Sequence, residues 1–352
     1  MATAASKTPD AHLSHCLSQY LIPCVPGITL EKVIELTKNP ELYPSDLAPF
    51  VAENPAYFQL VMRVDFLKAK VKEWIEEQPQ NNVNYKIILE RIFILIGKQA
   101  VRNLITCIRI NRIQGTLPKK PQEPLPIMPS EQLKHALAAE TLCSERGYTH
   151  IENAFIGGLH FDFLNAILTK TKAPRDALNQ LPNQWAESFK TAQIAYELAT
   201  MMKSFKWNEY VFASALALGT GRLLVYAEYT KENSEQSWPA FLAEVEKKKV
   251  FPGFFRQLNE NKKFLPNAEE LSSVCVSVFR FLAPLERAIL YVKTPYYLKK
   301  INPDLYTVSA LLHVSDSVAR NQALSMVGLQ CLKDIGLTVE HIKSAQERIQ
   351  VK

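Results

Sequence analysis

Seven histidines carry much of the chemistry open to this 352-residue chain: His12, His15, His135, His150, His160, His313 and His341. None stands in a recognised nucleophile context, so neither a Ser-His-Asp nor a Cys-His arrangement is read from the sequence. The six cysteines, Cys16, Cys24, Cys107, Cys143, Cys275 and Cys331, form no CxxC pair, which removes zinc knuckles and redox pairs from view. They lie mostly on apolar, helix-like stretches, where a free thiol packs as a small hydrophobe, and reduced thiols in a cytosolic protein are expected. Gly219-Thr-Gly221-Arg222 invites a phosphate-loop reading, but it lacks GxxxxGK[ST] and no strand precedes it. Small residues there suit close helix packing instead. Lys98, Arg102, Arg109 and Arg112 return to one face of one helix and form the candidate interaction surface, against the plainer reading of a wet amphipathic face. Phe251, Phe254, Phe255 and Phe264, with Tyr291, Tyr296 and Tyr297, are a second aromatic candidate surface, since aromatics are favoured at interfaces; core packing is the plainer account. The runs Lys247-Lys248-Lys249, Lys262-Lys263 and Lys299-Lys300 read as solvated surface.

The elements that must position these groups are helices. Glycine is scarce at 11 and proline stands at 21, while 47% of the chain is hydrophobic and 22% charged. Such a composition buries a sizeable core and favours helices over tight-turned sheets. A net charge of +6 is mild for this length and does not by itself argue for nucleic acid, which is not expected as a partner. The first residues are polar with no apolar core of a signal peptide, and no apolar run approaches the roughly 20 residues of a membrane span. The expected location is the cytoplasm, with no membrane partner.

Residues 1–12 read as a disordered lead. From 13 to 115, short helical patterns alternate with Pro23, Pro26, Pro40, Pro44 and Pro55, and the stretch Tyr85 to Ile110 alternates apolar residues in threes and fours with a break near Gly97. Residues 116–130 carry Pro118, Pro121, Pro124, Pro126 and Pro129, which forbid a continuous helix and make a stiff linker. Helices resume over 131–335, and 336–352 reads as a C-terminal helix. No period-two stretch of any length appears, so the fold class is all-α.

Residues 131–170 and 187–226 form an internal half-repeat. Each begins with an Ala-rich amphipathic helix and places a Glu three residues before a Phe, Glu152 and Phe155 in one copy, Glu209 and Phe212 in the other. Each then enters a helix of small apolar residues.

That order of features resembles the HD-domain superfamily, and Ala215-Leu-Ala-Leu-Gly-Thr-Gly221-Arg222-Leu is similar to its GLLHDIG segment. The N-terminal part resembles the HDOD branch: Leu21-Ile-Pro23-Cys-Val-Pro26, then Asp46-Leu-Ala48 and Glu53-Asn-Pro55, then Ile96-Gly97 and Val101-Arg102-Asn103-Leu104. The resemblance implies a metal pocket in which imidazole and carboxylate ligands converge from several helices. In the second copy Leu218 stands at the His position, Gly219 at the Asp position and Thr191 at the first-His position. In the first copy His135 matches the first His and Asp162 the Asp, but Phe161 replaces the adjacent His. His160 is one residue out of register, about 100° round the helix. In Leu311-Leu-His313-Val-Ser-Asp316, Asp316 matches the final ligand.

With the adjacent His-Asp pair missing from both copies, no catalytic residue, no metal and no cofactor is expected; any metal would have to use His135, Asp162 and Asp316. The resemblance implies a non-catalytic bacterial signal-transduction adaptor that binds protein partners, often near cyclic di-GMP pathways, with no GGDEF, EAL or receiver segment in this chain. The alternatives are a metal-dependent phosphohydrolase with a shifted HD site, and a nucleotide or cyclic-dinucleotide sensor using the vacated pocket around Ala217, Leu218 and Gly219. Oligomeric state is not read from the sequence.

Overall fold

The computed structural model describes Tyr43 and residues 65–77, 85–114, 129–170, 173, 175–202, 205, 207–232, 257–258, 264–265, 268–279 and 285–351. Most of these are helical, and the fold is all-α. One two-residue antiparallel pair, β1 (Gln257–Leu258) with β2 (Phe264–Leu265), was not anticipated, because two paired residues carry no readable period. The expected lead at 1–12, nearly all of 13–64 and residues 115–128 of the linker lie outside the described residues.

The chain divides into two compact units between Lys134 and His135. In the first, α1 (Asp65–Glu76) packs on α2 (Tyr85–Gln114), which in turn packs on the short α3 (Pro129–Gln132). Gly97 interrupts α2 with φ 78° and ψ 165°, the break the sequence predicts, since a left-handed φ is cheap only for glycine. Pro129 and Ser130, assigned above to the linker, already belong to α3.

In the second unit α4 (Lys134–Glu145) and the 20-residue α5 (Ile151–Lys170) are followed by the short α6 (Arg175–Asn179). Then come α7 (Leu181–Thr200), α8 (Asn208–Leu218) and α9 (Thr220–Glu232). Beyond the β pair lie α10 (Ala268–Phe279), α11 (Glu286–Leu290), α12 (Tyr296–Lys299), α13 (Pro303–Ala319), α14 (Met326–Asp334) and α15 (Val339–Val351). Several boundaries follow local rules. Asn302 accepts from the Leu305 N–H ahead of Pro303, and Ser325 accepts from the Gly328 N–H, so both are side-chain caps on orphan donors.

The core centres on α8, flanked by α5 and α7, with α10 against α9 and α13 against α7. Phe155 and Phe212, the equivalent aromatics of the two half-repeats, are both buried there. The window Tyr210–Ala227 has a mean hydropathy of 1.3, long and apolar enough on composition to qualify as a span, which the sequence reading had not recognised. It is 94% buried and is interrupted at Gly219, so it is a core pair of helices. Helix α15, set apart in the sequence as a separate C-terminal element, packs along α7 within this unit. Cys107, Cys143 and Cys331 are buried, and burial pushes the Cys143 thiol up to about 12.

Candidate functional site

The α8–α9 junction is where the HD-type pair would stand, and its backbone is fixed by one hydroxyl. Ser272 of α10 donates to the Leu218 carbonyl at 2.7 Å and accepts from the Gly221 N–H at 2.9 Å. Helix α10 can come this close because Gly221 has no Cβ: one placed there would overlap the Ala268 carbonyl and Ser272. Opposite, a Cβ on Gly219 would overlap Ser188 and Gln184 of α7. Ala217 and Leu218 are buried. The vacated pocket expected around Ala217, Leu218 and Gly219 is therefore filled by side chains from α7 and α10.

One turn of α9 further on, Arg222 reaches into the interface of α7 and α13. Its guanidinium donates to Asp316 Oδ2 at 2.6 Å and to Glu187 Oε1 at 3.0 Å. Arg320 donates from Nε to the same Glu187 oxygen at 2.8 Å and lies 3.5 Å from Asp316 Oδ1. Two guanidinium groups and two carboxylates thus close a ring that ties α7, α9 and α13 together. Burial opposes the Arg222 charge, but Asp316, then Glu187 and Glu269, outweigh it and hold its pKa above the ordinary arginine value. Thr191, at the first-His position, donates instead to the Glu187 carbonyl of its own helix at 3.0 Å.

A divalent cation does not fit this donor set. It would need several neutral imidazole or carboxylate ligands, whereas the position holds Thr191, Leu218 and Gly219, and Asp316 already carries a guanidinium. Among the described residues, no group of three His, Cys, Asp or Glu side chains is placed to hold a metal ion.

His135, Asp162 and Asp316, the fallback metal set, are not assembled. Asp162, on α5, caps α4: Oδ1 accepts from the His135 N–H at 3.1 Å and Oδ2 from the Ala136 N–H at 2.9 Å. His135 Nδ1 lies 2.8 Å from Asp162 Oδ1. Both side chains are buried, and Phe161 and Trp185 pack on the imidazole. Burial drives the Asp162 carboxyl up, while His135 and the two N–H groups draw it back. His160 donates from Nδ1 to the Ile156 carbonyl at 2.9 Å, a bond within its own helix, and burial lowers its pKa to about 4. His160 is thus a neutral core residue.

Of the candidate interaction surface, Arg102 is 1% exposed and buried, so it does not belong to a wet face. Its guanidinium turns back to Asn103 Oδ1 at 3.3 Å. The side chains of Lys98, Arg109 and Arg112 lie outside the described residues. Tyr296 and Tyr297 are partly exposed, and Lys299 pairs with Asp334 at 2.6 Å. Sequence reasoning missed Glu187, Arg222 and Arg320. The available signal was Arg222 itself, a permanent cation inside the small-residue apolar run of the second half-repeat, which implies a buried partner.

In comparisons with known proteins, no family model, curated protein or solved structure matches the chain.

Proposed function

We propose that this protein is a non-catalytic signal-transduction adaptor of HDOD type, an HD-like helical bundle that acts by binding protein partners in the bacterial cytoplasm. One observation carries the reading: Asp316, the residue that matches the final HD ligand position, is held at 2.6 Å by the Arg222 guanidinium. An internal cation takes the role that a metal would play in joining helices α7, α9 and α13. The helical order of the half-repeats is kept while the ligand positions are given over to packing and ion pairing. The shifted-site phosphohydrolase has less in its favour, because both Asp162 oxygens are committed to the start of α4.

The test is elemental analysis of protein purified without a metal-affinity tag, followed by assays on phosphomonoester and phosphodiester nucleotides with added Mn²⁺. The adaptor reading expects no near-stoichiometric divalent metal and no turnover above the Asp316→Ala variant. Metal-dependent hydrolysis that disappears in Asp316→Ala would sink it.

A further inference from the structure

His313 and Ser325 form a polar pair outside the half-repeats. His313, on α13, has its Nδ1 2.9 Å from the Val292 carbonyl, which can only accept, so that nitrogen carries the proton. Nε2 is left with a lone pair, and it faces the Ser325 hydroxyl at 3.4 Å. Burial lowers the His313 pKa, and the Val292 carbonyl draws it back only in part, so the imidazole is a free base at neutral pH. Lys293 and Asp316 are the charged groups that act on it, the first against its protonation and the second for it. A hydroxyl, an imidazole and a group that fixes the imidazole stand in the order that a nucleophile, its general base and an orienter require. A long contact between nucleophile and base is common where no substrate is bound.

Local structure leaves the hydroxyl accessible. Ser325 is exposed and caps α14, its Oγ accepting from the Gly328 N–H at 3.1 Å, a donor that stabilises negative charge on that oxygen. Gly328 also leaves the edge of the ring clear, since a Cβ there would stand 3.7 Å from Nε2. The N–H groups of Met326 and Val327 have no acceptor among the described residues, and donors of this kind stabilise an oxyanion. Met326 is an apolar side chain 81% exposed beside them. A phosphoryl group calls for a cationic or metal clamp; backbone donors and an apolar neighbour suit an acyl group.

We propose that Ser325 is a covalent acyl-acceptor site, which takes a short acyl group from an activated ester or thioester with His313 as its general base. Ser325 Oγ bonds to the carbonyl carbon while its proton passes to His313 Nε2. The C–O or C–S bond to the leaving group then breaks, and His313 returns the proton to that oxygen or sulfur. An alcohol or thiol departs and the acyl group stays on Ser325, so the step is a modification of the chain and not turnover. The inference does not rest on the adaptor reading: metal content and nucleotide hydrolysis decide that reading, and labelling of Ser325 decides this one.

The full chain is incubated with p-nitrophenyl acetate and, separately, with acetyl-CoA, and the acetyl group is located by peptide mass spectrometry. Acetyl at Ser325 is expected from at least one of them; labelling by the first alone would mark oxoesters as the donors, and by the second alone thioesters. Ser325→Asn keeps a side-chain cap on α14 and should remove the corresponding mass shift. His313→Gln should slow the labelling of Ser325 by roughly 100-fold, with its melting curve showing that the fold is intact. Should that variant unfold, the rate for the parent protein against pH gives the same answer, since it must fall as the imidazole takes up a proton. The proposal is overturned if neither donor labels Ser325, if the label appears only on lysines, or if labelling is indifferent both to His313→Gln and to protonation of the imidazole.

Discussion

Arg222 and Asp316 meet at 2.6 Å across two helices, and the contact is nearly closed to water, with side-chain exposures of 5% and 12%. Removing one partner of such a pair leaves the other as a buried uncompensated charge. Arg222→Met should therefore destabilise the protein by about 3–5 kcal/mol, read as a fall in the denaturant midpoint at unchanged slope. The double variant Arg222→Met with Asp316→Leu should recover part of that loss, since an apolar pair replaces a charged one. If the single variant proves neutral, the ring does not hold the helices.

Arg222→Ala should also change what the site binds. It leaves Asp316 and Glu187 facing the space the guanidinium had filled, with Glu269 close enough to have acted on its charge. Carboxylate oxygens gathered in this way suit a hard divalent cation. Calorimetry with Mn²⁺ or Ca²⁺ should show saturable binding to Arg222→Ala and none to the parent. Addition of guanidinium at low millimolar concentration should raise the melting temperature of the variant alone.

His160 makes the fold sensitive to acid. Its folded pKa of about 4 lies below the ordinary histidine value of 6.5. The unfolded chain therefore takes up a proton first as pH falls. The stability contributed by the neutral ring is complete above pH 6.5 and is lost progressively as pH drops towards 4. The full effect is about 3 kcal/mol. His313, lowered mainly by burial, acts in the same direction. Melting curves should show the parent losing stability from pH 7 to 4.5, and His160→Leu should flatten that slope measurably; an unchanged slope would refute the assignment.

Asp162 holds two backbone donors at the start of α4. Asp162→Asn keeps the shape but turns one acceptor into an NH₂ group that faces a peptide N–H. A cost of about 1–3 kcal/mol is expected, together with faster hydrogen exchange at His135 and Ala136. Exchange unchanged at those two amides would show that the carboxylate is not their acceptor.

Gly221 admits no side chain. In Gly221→Ala the new methyl would press on the Ala268 carbonyl and on Ser272, both fixed in α10. The strain should amount to about 2–3 kcal/mol. Adding Ser272→Ala removes one obstacle but also the bridge between Leu218 and Gly221, so the double variant should not recover; recovery would mean that the bridge has no structural weight.

The helical class and the break at Gly97 were legible, because each follows from spacing or from a local backbone rule. What was not legible required knowing which helices touch. Asp162 reads like a ligand in sequence, and only the packing of α5 against α4 reveals it as a cap. Arg102 sits at a period consistent with a wet face but is buried, since periodicity gives the stripe and not what covers it. The Glu187–Arg222–Asp316–Arg320 ring joins residues from three helices, and no local pattern announces such a closure. The half-repeats explain part of the contrast. Their alignment sets His135 against Thr191 and Asp162 against Gly219, so the polar pair of one copy is a hydroxyl and a glycine in the other.

Helix α15 bears on the order in which the chain is made. Arg146, just past α4, donates to the Ile349 carbonyl at 3.3 Å, and Arg348 lies 3.5 Å from the buried Glu197 of α7. During synthesis Glu197 leaves the ribosome long before Arg348 does. In that interval the flank of α7 lacks its covering helix, and Glu197 lacks its contact with Arg348. The side of α7 that α15 covers is therefore the last part of the second unit that synthesis can complete.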